Sequence, residues 1–364
     1  MSILEIFSAL QELAEKHNYS DIHLNTGNYP IVRDNNWDIK EVKTITNVDW
    51  EIDISILGQI DVIEIIKHIL GESGYEKYLS EMQVDSSYGK ERGVRYRINC
   101  YKDSNWDSIA MRSIPHEIPT LESLWLWKQI QEMCSQSKGL VLVTGPTGSW
   151  KSTNLAAMID YINTNYKKHI ITIEDPIEFV FKNKLSLINQ REVGMHTSSF
   201  ASAIKWSLRE DPDIIMIWEM RDPETIKAAI TLAETGHLVF STLHTNDAVQ
   251  TVDRIIDVFP AGQQDQIRMQ LAMSLVWVIA QRLVPRMDKA ERIATREILM
   301  SNDAVRNLII SAKSHQLYSV IEIGQKQWMV LMDNYLIALY KKWFISKETL
   351  LSYVRDKENV EILN

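Results

Sequence analysis

The nine residues Gly145–Thr153, GPTGSWKST, carry chemistry in their spacing. A loop that cradles phosphates reads G-x-x-x-x-G-K-[ST]. Gly145 opens such a loop and Lys151 and Ser152 close it, but Trp150 stands where a glycine is expected. Pro146, Thr147, Gly148, Ser149 and Thr153 complete it. In loops of this kind backbone N–H groups and the following helix N-terminus hold the anion. Lys151 would reach the β- and γ-phosphates of ATP, and the Ser152 hydroxyl would ligate the Mg2+ that travels with it. Glu219, at the end of DIIMIWE, is the kind of acid that helps hold such a metal or its water. IEDPIE, 173–178, supplies Glu174, Asp175 and Glu178, and any one of them could orient an attacking water. His237 and His244 bracket an apolar run, and the residues alone leave open whether they react or pack.

The elements that must position these groups alternate. GLVLVTG (139–145) is an apolar run ending in glycine, as in a buried parallel strand. A helix follows over 152–163, a strand over 169–176, a helix over 199–210 and a strand over 213–222. A helix over 223–236 opens on Pro223 and closes on Gly236, and a strand follows over 237–245. Alternating strand and helix implies a parallel sheet covered on both faces, with ligands beyond the carboxyl ends of its strands. The lysine loop, the acids and the histidines are expected to fall at those ends.

The first third of the chain reads differently. Ser2 and Glu5 form a capping box for an opening helix. Short strand-like pieces follow (DIHL, PIVR, VRYRINCY, SIAMRS), with a turn at Asn25–Asn28 and a helical stretch around 60–80. This predicts a small α+β domain over 1–112, a connector over 113–120 marked by two prolines, and an α/β domain over 121–364. The net charge of −9 argues against a nucleic-acid partner. Two cysteines are too few for a disulfide framework or a four-cysteine zinc site. No signal peptide or transmembrane segment is expected: the longest greasy stretch, LAMSLVWVIA, falls short of the ~18 apolar residues a span needs. A cytoplasmic location is expected.

Seven blocks occur in order: GPTGSWKST, TIEDPIEF, NQREVG, REDPDIIMIWEMRDPET, AETGHLVFSTLHTNDA, RIIDVFP and AQRLVPR. Together they resemble the PilT-type ATPases that retract bacterial type IV pili, members of the secretion ATPase superfamily. The likeness is looser in the first domain (SDIHLNTG, VRYRIN, MRSIP). It implies a RecA-like ATPase domain preceded by a smaller PAS-like domain, homohexameric rings, and ATP bound between the two domains. It further implies docking on an inner-membrane platform protein at the inner face of the membrane, with pilin engaged only indirectly. By motif, Lys151 and Ser152 bind phosphate and magnesium, and Glu219 is the Walker B acid. Glu178 is the catalytic glutamate of an acidic box supported by Glu174 and Asp175, and His237 and His244 form a histidine box. Arg97 and Arg112 match arginine-bearing segments that neutralise phosphate charge from the first domain. AVRNLI (304–309) resembles the retraction signature, although Ile310 and Ser311 depart from the Arg-Glu that follows it in the family. The four-cysteine zinc element of extension and secretion relatives is absent.

The tryptophans are a second anomaly. The chain has 11 Trp and 13 Gly, a sum of 24. A glycine share of ~7% would give about 25. The family carries glycine where this chain has Trp150 and Trp218, and the same is expected at Trp37, Trp106, Trp125, Trp277, Trp328 and Trp343. Trp127 and Trp206 are plausible members of the set. These placements suggest a gene in which UGA is read as glycine. Taken literally, an indole at 150 would fill the space the phosphates need, and the chain would be a catalytically silent or accessory ring subunit.

Overall fold

The computed structural model describes residues 2–17, 19–34, 38–46, 51–89, 94–114, 117–124, 128–288 and 291–357. Trp37, Trp50, Trp125 and Trp127 lie outside them. Contacts divide the chain into two compact units: residues 1–117 together with 176–180, and residues 118–175 together with 181–364.

The first unit opens with α1 (Ile3–His17). Its capping box is formed: the Glu5 N–H donates to Ser2 Oγ at 3.3 Å, and the Ser2 N–H to Glu5 Oε2 at 2.7 Å. Strands β1 (Asp21–Asn25), β2 (Ile31–Arg33), β3 (Ile39–Glu41), β4 (Thr44–Thr46) and β5 (Glu51–Asp53) follow. Next come α2 (Gln59–Glu81), β6 (Gln83–Gly89), β7 (Arg95–Asp103) and β8 (Trp106–Ile114). Six strands pair antiparallel in the order β3-β2-β1-β8-β7-β6, and β4 pairs with β5. Ile22, Leu24, Ile98, Ile109 and Met111 on the sheet pack against Phe7 and Leu10 of α1 and Ile65 and Ile66 of α2. The helix expected around 60–80 is broken at Gly71, whose φ of 66° interrupts the spiral.

The second unit contains α3 (Lys128–Cys134), β9 (Gly139–Thr144), α4 (Lys151–Asn165), β10 (His169–Glu174) and β11 (Leu187–Glu192). Then come α5 (Phe200–Ser207), β12 (Ile214–Ile217), α6 (Pro223–Glu234), β13 (Leu238–Leu243), α7 (Ala248–Asp257) and α8 (Ala261–Ser274). Strands β14 (Leu275–Pro285) and β15 (Arg292–Met300) precede α9 (Asp303–Ile310), α10 (Leu317–Ile323), α11 (Met332–Lys341) and α12 (Lys347–Tyr353). One seven-stranded sheet runs β11-β10-β12-β13-β9-β14-β15, parallel except where β15 turns back along β14. All six residues of β9 and of β13 are buried, as strands covered on both faces require. The stretch LAMSLVWVIA turns out to be half helix and half strand, the end of α8 and the start of β14. No described helix is long and apolar enough to cross a membrane. Cys100 and Cys134 are free and buried. Burial pushes the Cys100 thiol up to about 12 and raises the Cys134 thiol too.

Candidate active site

The phosphate loop leaves β9 at Gly145 and enters α4 at Lys151. Gly145 has φ 146°, and a Cβ there would lie 2.1 Å from the Gln281 carbonyl oxygen and 2.7 Å from Ser149 Oγ. Only glycine fits. Gly145→Ala is expected to cost about 1–3 kcal/mol through backbone strain and overpacking. A thermal melt that matched the parent would contradict this. Ser149 Oγ donates to the Pro146 carbonyl at 2.8 Å, and Gly148 adopts a left-handed φ of 74°. Trp150 follows at φ 63° and ψ 30° and stands at the N-terminus of α4 with no side-chain cap bond. The orphan N–H groups of that helix and the glycine-lined turn make a seat for an anion.

Four polar side chains meet beside this seat. Lys151 Nζ donates to the carbonyls of Gly145 at 2.9 Å and Pro146 at 3.1 Å, and it lies 3.4 Å from His244 Nδ1. An ammonium has no lone pair, so Nδ1 must be the acceptor. That tautomer leaves His244 Nε2 protonated, and it reaches Glu219 Oε1 at 3.1 Å. Arg221 Nη2 donates to the other Glu219 oxygen at 2.8 Å. Burial would raise the Glu219 carboxyl, but the hydrogen bonds from Arg221 and His244 and the charge of Arg221 outweigh it and hold the group below the usual carboxylate range. Lys151, His244, Glu219 and Arg221 therefore form one polar row across the ends of β9, β13 and β12. The strand expected over 213–222 stops at Ile217, which leaves Glu219 in the loop beyond it, free to face the row.

The other predicted residues are placed as follows. Glu174, the last residue of β10, is buried and accepts from Thr172 Oγ1 at 2.6 Å and Gln190 Nε2 at 3.1 Å. Its carboxylate is thus anchored to its own sheet. Asp175 adds its charge to the field on Arg221. Glu178 belongs to the 176–180 stretch that groups with the first unit. Arg97 on β7 and Arg112 on β8 face each other in register in that same unit, and Arg112 Nε donates to Asp21 at 2.8 Å. His237 precedes β13, with Nδ1 3.1 Å from the Leu232 carbonyl. It therefore sits at the amino end of that strand, and of the two histidines expected at the carboxyl ends only His244 is there. Ser152 and Thr153 fill the first turn of α4. Among the described residues no cluster of three His, Cys, Asp or Glu forms a metal cage. The Ser152 hydroxyl and the Glu219 carboxylate are hard oxygen donors of the kind a magnesium ion takes. Sequence reasoning missed Arg221 and Gln281. Arg221 lay in the quoted REDPDIIMIWEMRDPET block, two residues beyond Glu219, and Gln281 in AQRLVPR.

Among the described residues, four of the seven non-glycine residues with positive φ are tryptophans: Trp106 (85°), Trp150 (63°), Trp328 (66°) and Trp343 (63°). Trp106 is the first residue of β8, directly after the two-residue turn from β7, and its positive φ is one that glycine favours. At the end of α11 the Phe344 N–H reaches the Leu339 carbonyl and the Trp343 N–H the Tyr340 carbonyl, at 3.0 and 2.9 Å. Met329 to Gly324 and Trp328 to Gln325 repeat that pair of bonds, both at 3.2 Å. Both are Schellman endings with tryptophan in the slot that glycine normally fills. Trp206, Trp218 and Trp277 have no left-handed backbone, so conformation places no demand for glycine there.

A family model described as "Type II/IV secretion system protein" matches residues 92–332, more than half of the 364. The chain belongs to this family. It is 46% identical over 300 residues to a "Twitching motility protein" of Neisseria gonorrhoeae, covering 82% of this chain and 80% of that one. It is 39% identical over 359 residues to the type IV pilus retraction ATPase PilT of Pseudomonas aeruginosa, covering 99% and 100%. A solved structure of the pilus retraction motor PilT with bound ADP superposes with a TM-score of 0.88 at 42% identity, covering 100% of this chain and 99% of that one. The sequence-based expectation of a RecA-like domain behind a smaller α+β domain agrees with that likeness.

Proposed function

We propose that this chain is an ATP-hydrolysing motor that powers the retraction of type IV pili. The observation that carries the reading is the row Lys151–His244–Glu219 at the mouth of a phosphate loop, in a chain alignable end to end with a named retraction ATPase. When ATP enters, Lys151 exchanges the Gly145 and Pro146 carbonyls for phosphate oxygens. His244, released from the ammonium, keeps its bond to Glu219 and carries the change in loop occupancy to β13. Bound magnesium would neutralise developing phosphate charge, with Ser152 and Glu219 holding it. Glu178 orients the attacking water, Glu174 and Asp175 support the acidic loop, and Arg97 and Arg112 supply cations from the first unit. His237 is assigned to the coupling of neighbouring copies. The working form is a homohexamer on an inner-membrane platform protein at the cytoplasmic face, touching pilin only through that platform, and no nucleic acid is engaged.

Deleting the gene in its source tests the direction of the motor. Cells are expected to keep surface pili, in excess, and to lose twitching. Cells stripped of pili would make the chain an extension motor instead.

A further inference from the structure

Behind the phosphate loop lies a buried polar network that the reading above leaves unused. Gln281 on β14 is fully buried and holds the loop at both ends. Its carbonyl oxygen packs where a Gly145 Cβ would be, and its side-chain Nε2 donates to the Ser149 carbonyl. Its Oε1 accepts from Asn154 Nδ2 of α4 and from Arg296 Nε of β15, both at 2.7 Å. Arg296 then donates through Nη2 to the Leu124 carbonyl at 2.8 Å and through Nη1 to Tyr335 Oη at 3.3 Å. Gln281, Asn154 and Arg296 are each at most 2% exposed.

Arg296 is the odd member. Its hydrogen-bond partners among the described residues are all neutral oxygens, yet a buried charge normally requires a counter-charge. It lines, with Trp150, Arg286, Glu291 and Arg292, a cavity of about 210 Å³ beside the loop. A fixed cation there lends positive potential to the anion seat at little reorganisation cost. Leu124 belongs to the segment by which the chain leads into the second unit.

We propose that Gln281 and Arg296 are positioning residues for the nucleotide reaction. Gln281 sets the curvature of the phosphate loop by gripping it at Gly145 and Ser149. Arg296 ties that grip to the lead-in segment at Leu124, so that filling the loop tightens the segment. This rests on the nucleotide reading of the same site.

The test uses the full chain as its source makes it, with a fluorescent ADP as probe. Gln281→Glu keeps an acceptor for Arg296 and Asn154, gains an ion pair with Arg296, and loses the donor to Ser149. It is expected to raise the ADP dissociation constant roughly tenfold or more, with melting temperature held within a few degrees. A merely structural role would move the melt and spare the affinity of the folded protein. Arg296→Lys is expected to lose the ADP-dependent hydrogen-exchange protection of the 121–124 amides that the parent displays, because one ammonium does not span Gln281, Tyr335 and Leu124 as the planar guanidinium does. An unchanged affinity in folded Gln281→Glu overturns the inference, as does a parent whose 121–124 amides ignore ADP, a measurement that needs no variant. A parent that binds no ADP overturns the nucleotide reading and this inference together.

Discussion

Peptides from the native source are expected to weigh as glycine, not tryptophan, at positions 106, 150, 328 and 343. Each side chain other than glycine in the left-handed region costs about 1–2 kcal/mol, so four bulky ones would cost about 4–8. A net stability is only about 5–15 kcal/mol. Packing does not offset that strain, because the indoles stand exposed, from 41% at Trp150 to 74% at Trp343. Two of the four occupy Schellman endings, a third the phosphate loop and the fourth the start of β8, three unrelated settings with one shared demand for a residue lacking a Cβ. Codons UGA at these positions and a glycine mass in the spectrum would agree. Codons UGG with an indole mass would mean that the chain bears the strain and that the phosphate seat is obstructed by its own residue 150. Trp206, Trp218 and Trp277 are the sharper control, since the backbone there accepts either residue.

Replacement of Lys151 by alanine is expected to lower magnesium-dependent ATP hydrolysis by on the order of 10²–10³-fold or more, the usual cost of removing a preorganised charge donor. Nζ is the group aimed at the seat, with both loop carbonyls as its resting partners. Its loss also frees His244 Nδ1, so the Glu219 row should loosen. The fold should survive, because the sheet core beneath is built from Leu140, Leu142, Ile171, Ile215 and Val239, none of which touches the lysine's role. Steady-state phosphate release with ATP and magnesium measures the effect. A variant that retained parental turnover would remove Lys151 from the mechanism.

The parallel sheet was legible because its strands are covered on both faces and so read as unbroken apolar runs, as GLVLVTG does. The phosphate loop was legible because its geometry is written in spacing. The β14–β15 ribbon was not: LAMSLVWVIA carries the last residues of α8 directly into a strand with no turn residue between them, so no punctuation marks the change of period. For the same reason Gln281 passed as one polar letter in AQRLVPR. Its importance comes from the strand β9 beside it, a pairing between residues more than 130 positions apart that no local pattern announces. Glu219, by contrast, could be picked out as the acid ending DIIMIWE, but its partners could not: they come from the loop after β13 and from two residues downstream.

The two cysteines have a practical consequence. A thiol reacts as its thiolate, and Cys100 and Cys134 are both shut away and hard to ionise. Maleimide dyes added to the folded protein should pass both by. Fluorophores could then be attached at new surface cysteines with the native pair left in place, and motion of the labelled protein watched in light.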